Sequence, residues 1–204
     1  MSGRLRRVLH PRRALWPVLA ALAIRLAAAW AVENRLEAQN EGLLIAGDAG
    51  GYLDLAEDLA SGRDYAVDSG VFPRRAMRAP VFPLLLAWPR SIEVKLKRFH
   101  FGMKHTLCRL AVVLCGVLAV WATGRLGDAV AGPRVGEAAA WLAALNPLAI
   151  AFSTMLLSES LFALLLTLSL AGVAECVRRD PLTGEEPSHI RWGPAIWAGL
   201  AAAG

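Results

Sequence analysis

Residues 138–177 limit what this chain can fold into more than any other feature of the sequence. The stretch is apolar for forty residues, with its breaks at positions 146–147 and 158–159. As one continuous helix it would reach about 60 Å, twice the hydrocarbon thickness of a membrane. We therefore predict a helical hairpin that crosses a bilayer twice and turns within residues 153–160.

The composition agrees with a membrane protein. Hydrophobic residues make up 56% of the 204 and charged residues 19%, whereas a soluble domain has about 45–50% and about 25%. The charges cluster between apolar runs, which predicts bilayer spans joined by polar loops. The net charge of +5 does not indicate nucleic-acid binding, because Arg and Lys lie mostly at the ends of these runs. The cysteines have no zinc-like spacing and are interpreted as packing or lipid-facing residues: Cys108, Cys115 and Cys176.

The predicted fold is an all-α, multi-pass transmembrane helical bundle. Its spans are residues 14–32, 107–126, 137–153, 160–177 and 194–204, and the sequence ends within the last one. For the first span a secretory signal is the alternative, since residues 29–31 resemble a small-x-small cleavage site. An uncleaved span is favoured, because the apolar stretch exceeds a signal core of about 7–15 residues and contains Arg25.

The distribution of basic residues predicts the orientation. Residues 1–13 contain five arginines and no acid, which places the N-terminus in the cytoplasm. Alternation then puts the long loop at 33–104 outside, and the basic loops at 127–134 and 178–191 inside. The outer loop is also basic, but loops longer than about 60 residues largely escape this rule.

A short amphipathic helix is predicted at residues 47–62 of the outer loop. Its apolar face consists of residues at i, i+3, i+4, i+7 and i+8: Tyr52, Leu55, Ala56, Leu59 and Ala60. Directly after a span, such a helix is expected to lie flat at the membrane surface. Asp48 stands just before it and has two interpretations. It is either the helix N-cap or a catalytic carboxylate at the water–lipid boundary.

An arginine-rich stretch precedes an apolar segment at 79–87; its basic residues are Arg74, Arg75 and Arg78. The prolines of the segment are expected to keep it extended until about Pro83. Arginines near the interface suit a phosphate group, but lipid headgroups account for them equally well. The next segment, 90–104, is unusually basic and is either a surface helix on anionic lipid or a local peculiarity. Arg109, near the start of the second span, is expected to snorkel to the interface.

Several of these motifs, in this order and spacing, resemble the bacterial membrane glycosyltransferases of the C-type fold, relatives of protein O-mannosyltransferases and aminoarabinose lipid A transferases. The motifs are Asp48 with Tyr52 and the helix to Gly62, the Arg78-Ala-Pro-x-x-Pro-Leu sequence, Asn146-Pro147, and Leu-Ser-Glu-Ser-Leu-Phe at 157–162. Each motif is short and degenerate, and together they cover nearly the whole chain. The resemblance implies the N-terminal part of a glycosyltransferase domain in the bacterial plasma membrane, acting in the cell envelope.

Enzymes of that family move a sugar from a polyprenyl-phosphate donor to a glycan, lipid or protein acceptor on the non-cytoplasmic side. The resemblance implies that Asp48 is the catalytic base and that Glu159 is a second acid near the active site. It implies that the donor phosphate contacts Arg78, with Arg75 and Tyr52 nearby. Many relatives have a second acid directly after the first, where this chain has Ala49. A role that requires two adjacent carboxylates is therefore in question.

Other interpretations stay open. Glu159 is also explained as a turn residue at the interface. The resemblance assigns no cofactor and no metal ligands, and leaves open whether a divalent metal takes part. The alternative class is a non-catalytic multi-pass membrane protein, such as a transporter segment or an envelope assembly factor. Transporters often repeat their halves, and the absence of an evident sequence repeat favours the enzyme. We expect these 204 residues alone to lack transferase activity.

Overall fold

The computed structural model describes residues 11–39, 43, 46–63, 66–67, 74–75, 78–97 and 105–177. Within these ranges the chain is almost entirely α-helical, as predicted, with one pair of two-residue strands. The elements are α1 Pro11–Ala38, α2 Ala46–Ala60, β1 Ala66–Val67, β2 Arg74–Arg75, α3 Val81–Lys97, α4 Thr106–Ala131, α5 Pro133–Leu145, α6 Pro147–Thr154 and α7 Glu159–Val177. The predicted loop at 178–191 and the predicted segment at 194–204 lie outside the described residues.

Two helices are long and apolar enough to cross a membrane. They are Leu15–Ala38 within α1, with 24 residues, and α4, with 26 residues. α5 and α6 pass the same test only as a pair, and they bend by 57° at the break between them. The described part of the chain therefore contains two candidate spans, or three if the bent pair is one span.

α1 continues past Val32, where the first predicted span ends, to Ala38. The polar residues after Val32 remain helical because they are bonded within the protein. The Glu33 carboxylate accepts hydrogen bonds from Thr106 and Arg109 of α4, and Leu36 is buried. The first part of the predicted outer loop is thus an extension of the helix.

The loop predicted at 127–134 is also helical, except for Gly132. α4 runs to Ala131 and α5 begins at Pro133. Gly132 has a φ of 90°, a left-handed conformation that glycine adopts without a steric penalty. Proline suits the first position of the helix that follows, because its missing N–H would have no intrahelical partner there.

Asn146 divides the third predicted span, 137–153, into α5 and α6. The ring of Pro147 prevents α5 from continuing, and the backbone of Asn146 is extended. The side-chain oxygen of Asn146 then accepts hydrogen bonds from the N–H groups of Leu148 and Ala149, which caps α6. α7 begins at Glu159, so the turn predicted within 153–160 is confirmed.

The chain divides into two compact units. One consists of the described parts of Met1–Ile24, Gly116–Ile150 and Phe162–Gly204, and its core residues are Ala21, Val120, Ala140 and Ala144. The other consists of the described parts of Arg25–Cys115 and Ala151–Leu161. Its core residues are Ala49, Leu53, Ala56, Phe82, Leu86, Cys108, Val112 and Leu156. This second unit holds the predicted site residues.

α2 packs in the core through a face that overlaps the predicted one: Tyr52 and Ala56 belong to both faces, and Leu55 is also buried. The residues on this face follow the spacing i, i+3, i+4 and i+7: Ala49, Tyr52, Leu53 and Ala56. Ala60, which was predicted on the apolar face, is exposed. The face is displaced because Ala49 and Leu53 belong to the core that α3 and α4 also build.

α3 begins at Val81, slightly earlier than the prediction that prolines delay the helix until about Pro83. Pro83 lies in the first turn, where a missing N–H removes no intrahelical bond. The N–H of Leu84 bonds to the Pro80 carbonyl, which continues the helical pattern past the proline. Phe82 and Leu86, one turn apart, then bring α3 into the core.

Candidate functional site

Asp48 and Arg78 form the centre of the candidate site. α2 begins at Ala46, so Asp48 lies within the first helical turn. The N-cap interpretation requires Asp48 to stand before the helix, and Asp48 does not have that position. Arg78 Nη2 donates to Asp48 Oδ1, and Arg78 Nη1 donates to the Asp48 backbone carbonyl, both over 2.9 Å. The Asp48 side chain is 69% exposed and that of Arg78 is 19% exposed. The site therefore presents an accessible carboxylate with a guanidinium beside it.

One face of α2 forms a cradle for Arg78. The guanidinium carbon lies 4.3 Å from the centre of the Tyr52 ring, within the range of a cation–π interaction. Gly51 leaves room for this approach, because an added Cβ would lie 3.1 Å from Arg78 Nη2 and 3.2 Å from Cζ. Asp48, Gly51 and Tyr52 stand at i, i+3 and i+4, so they share one helical face. Three of the predicted site residues, Asp48, Tyr52 and Arg78, are thus in contact.

Tyr52 also joins α2 to the turn before α7. Its ring meets Phe82 of α3 edge-on, with ring centres 4.9 Å apart, an arrangement that aromatic pairs favour. Its hydroxyl forms a hydrogen bond of 3.3 Å with the hydroxyl of Ser158. Ser158 immediately precedes Glu159 in the chain. Tyr52 therefore links the helix that carries Asp48 to the turn that leads into Glu159.

Glu159 and Arg75 are the other two predicted site residues. Glu159 is exposed at the first position of α7, where the helix dipole favours a negative charge. The backbone of Arg75 lies in β2 and pairs with Ala66 of β1, and its side chain is outside the described part of the structure. Among the described residues, no group of three or more His, Cys, Asp and Glu side chains could hold a metal ion.

A charged network on α3 was not predicted from the sequence. Arg90 donates to Glu57 Oε2 over 2.8 Å and lies 3.7 Å from Glu93 Oε2. Glu93 is fully buried and accepts hydrogen bonds from the backbone N–H and the thiol of Cys108. Burial raises the pKa of Glu93, while the bonds from Cys108 and the charge of Arg90 oppose the rise. The network ties α3 to α2 and α4 and so fixes the helices that carry the site. The one feature of the sequence that could have indicated this network was Glu93, the single acid within residues 90–104.

Two buried arginines meet the end of α6. Arg25 Nε donates to Ser153 Oγ over 3.1 Å, and Arg109 donates through Nη1 to the Thr154 carbonyl. Arg109 Nε also donates to Glu33 Oε2 over 2.9 Å. Arg109 is only 3% exposed, so the prediction that it snorkels to the interface is wrong. These bonds fix the C-terminal end of α6, just before the turn that contains Ser158.

Comparisons of the chain with protein-family models, with curated proteins and with solved structures found no match.

Proposed function

We propose that this chain belongs to a multi-pass membrane glycosyltransferase that moves a sugar from a polyprenyl-phosphate donor to an acceptor on the non-cytoplasmic side. The observation that carries the proposal is the exposed Asp48 carboxylate bonded to Arg78. Both residues lie in the part of the chain between the two candidate spans. The motif resemblance supplies the reaction class, and the geometry supplies one group of each charge that this reaction needs.

The chemistry assigns a role to each member of the pair. The acceptor hydroxyl must lose a proton as its oxygen attacks the anomeric carbon, and the Asp48 carboxylate accepts that proton. The bond between the anomeric carbon and the phosphate oxygen breaks, and polyprenyl phosphate leaves with the electron pair. The Arg78 guanidinium stabilises the negative charge that develops on this phosphate.

The ion pair couples these two roles. Asp48 becomes neutral when it takes the proton, while the leaving phosphate becomes more negative. The attraction of Arg78 therefore shifts from the carboxylate to the phosphate during the reaction. The Tyr52 ring, in contact with Arg78, keeps the guanidinium close to both groups during this shift. Arg75 adds a second positive charge for the phosphate, and Glu159 is the second acid of the site.

The membrane setting follows from the donor. A polyprenyl chain stays in the bilayer, so its phosphate is reached at the membrane surface. In this proposal α2, the first helix after α1, lies at that surface. In this proposal the N-terminus is cytoplasmic, and α5 to α7 make further crossings. A cysteine at Ser69 should then react with a membrane-impermeant thiol reagent in intact cells, and one at Ser188 should not. The opposite labelling would overturn this orientation.

Donor binding is the direct test of the proposed function. The purified protein in detergent is titrated with undecaprenyl phosphate and followed by native mass spectrometry. Arg78→Ala should weaken binding about tenfold or more, because a hydrogen bond to a charged group contributes about 1.5–3 kcal/mol. Arg63→Ala is the matched control, since Arg63 is an exposed arginine that follows α2 and pairs with Asp58 of that helix. Binding that Arg78→Ala leaves unchanged would remove the donor-phosphate role.

A transporter segment is the second candidate, and two observations favour it. α5 and α6 form a bent, broken pair, and transporters use such discontinuous helices at their substrate sites. Arg25 is buried near the end of α6, where it bonds Ser153, and buried charges are also typical of transport pathways. Undecaprenyl phosphate binding that depends on Arg25 but not on Arg78 would favour this candidate over the transferase.

A further inference from the structure

α3 carries an apolar stripe that faces away from the core. Leu84 and Trp88, one helical turn apart, are 56% and 75% exposed. Phe82 and Leu86 of the same helix are buried in the core. An exposed tryptophan beside an exposed leucine is unfavourable in water, so this stripe is expected to have a partner.

Lys95 extends the same stripe toward the C-terminal end of α3. It is exposed and stands seven residues after Trp88, which places it on the same helical face. The charged residues that α3 directs inward are already bonded: Arg90 pairs with Glu57, and Glu93 accepts from Cys108. The sequence from position 95 to position 104 contains four basic residues and no acid. Among the described residues at this end of α3, the outward charge is that of Lys95, and it is positive.

We propose that this stripe, defined by Leu84, Trp88 and Lys95, is a contact surface for an anionic lipid bilayer. Trp88 and Leu84 enter the headgroup region, where tryptophan is enriched in membrane proteins. Lys95, near the C-terminal end of α3, binds the negative headgroups. The C-terminal part of α3 then attaches the site region to the membrane surface, which is one of the two interpretations that the sequence leaves open for residues 90–104.

A bilayer is the partner that the rest of the chain favours. α3 lies in the sequence between two helices that are long and apolar enough to cross a membrane, and α4 begins at Thr106, shortly after α3 ends at Lys97. The apolar face of α2 is packed in the core through Ala49, Leu53 and Ala56. α3 is therefore the helix of this region that has apolar side chains left for lipid.

Spin labelling in vesicles tests the proposal. A label on Trp88→Cys should be accessible to oxygen and shielded from a water-soluble nickel chelate, like a label on Leu114→Cys, an exposed position of α4. A label on Arg63→Cys, on an exposed loop residue, should show the reverse. The background protein carries Cys176→Ser, and Cys108 and Cys115 are buried and should remain unlabelled.

Varying the lipid composition tests whether the positive charge of Lys95 contributes to the contact with the bilayer. Adding phosphatidylglycerol to phosphatidylcholine vesicles should increase the oxygen accessibility at position 88, and Lys95→Glu should cancel that increase. Leu84→Cys provides a second labelling position if Trp88→Cys folds poorly. Nickel accessibility equal to that of Arg63→Cys would show a face in water and overturn the proposal. Protection from both reagents would show a protein partner, such as a second copy of the chain, and would also overturn it. None of these measurements requires sugar transfer, so they are independent of the proposed function.

Discussion

Arg78 binds Asp48 at two points, through Nη2 to the carboxylate and through Nη1 to the backbone carbonyl, each over 2.9 Å. The second bond does not involve the Asp48 side chain. A substitution of the carboxylate therefore leaves the bond from Arg78 to the Asp48 carbonyl in place. A substitution that moves Arg78 leaves the carboxylate in place. The two groups can accordingly be tested separately.

Gly51→Ala should displace Arg78 without changing any charge. The added methyl group would lie 3.1 Å from Nη2 and 3.2 Å from Cζ, so the guanidinium must shift by a few tenths of an ångström. We expect the free energy of undecaprenyl phosphate binding to weaken by about 0.5–1.5 kcal/mol, the contribution of one ordinary hydrogen bond. Titration followed by native mass spectrometry measures the change.

Gly50→Ala is the matched control for this substitution. It places the same methyl group on the preceding residue of α2, where nothing lies within 4 Å. It should leave binding unchanged and stabilise the protein by about 0.5–1 kcal/mol, because alanine favours the helix over glycine. Equal affinities of the two variants would contradict the cradle formed by Asp48, Gly51 and Tyr52.

The features that the sequence predicted well are those that depend on local composition. The apolar runs predicted α7 and the start of α4 closely, although α4 continues past Leu126 to Ala131. Asn146-Pro147 marked the break between α5 and α6. The features it did not predict depend on partners far apart in the chain. Glu33 extends α1 because it bonds Arg109, and no local pattern indicates that pairing.

The same distinction between local and long-range features applies to the candidate site. The sequence identified Asp48, Tyr52 and Arg78 as individual residues, from the motif order. It did not indicate that Arg78 would lie against Gly51, because that approach depends on how the segment before α3 passes α2. The hydrogen bond between Tyr52 and Ser158 likewise joins residues that only the tertiary structure brings together.

Gly136→Ala should destabilise the hairpin of α4 and α5. A Cβ at Gly136 would lie 2.6 Å from the Gly124 carbonyl oxygen and 2.8 Å from the Asp128 backbone nitrogen. Such distances require the backbones to separate, and overpacking of this kind costs about 1–3 kcal/mol. A lower thermal unfolding temperature in detergent is the expected result. Gly47→Ala, where nothing lies within 4 Å, is the control, and an equal unfolding temperature of the two variants would contradict this close packing.

The raised pKa of Glu93 gives the stability a definite pH dependence. Burial makes its folded-state pKa higher than the unfolded value, which is about 4.3 for a glutamate. The stabilising contribution of protonated Glu93 is therefore complete below that value and is lost as the pH rises through the raised pKa. Relative to Glu93→Gln, the wild-type unfolding temperature should fall as the pH increases over this interval. Parallel pH profiles of the two proteins would contradict the raised pKa.

Asp48→Asn separates proton acceptance from hydrogen bonding. The asparagine keeps a side-chain oxygen that can accept from Arg78, so the thermal unfolding temperature should remain nearly unchanged. The amide cannot take the proton of the acceptor hydroxyl, so sugar transfer should fall by a factor of about 100 or more, at the lower end of general-base contributions. The measurement uses membranes from cells that express the gene, with a panel of radiolabelled polyprenyl-phosphate sugars.

Asp58→Asn is the matched control, because Asp58 of α2 also accepts a hydrogen bond from an arginine, Arg63, over 2.7 Å. It should keep wild-type transfer. If Asp48→Asn also kept it, Glu159 would be the next candidate base, and Glu159→Gln should then show the loss. If both variants transferred sugar normally while Arg78→Ala still weakened undecaprenyl phosphate binding, neither acid would be the base. In that case Arg78 would bind the donor, and the proton would leave through a group outside the described residues or through water.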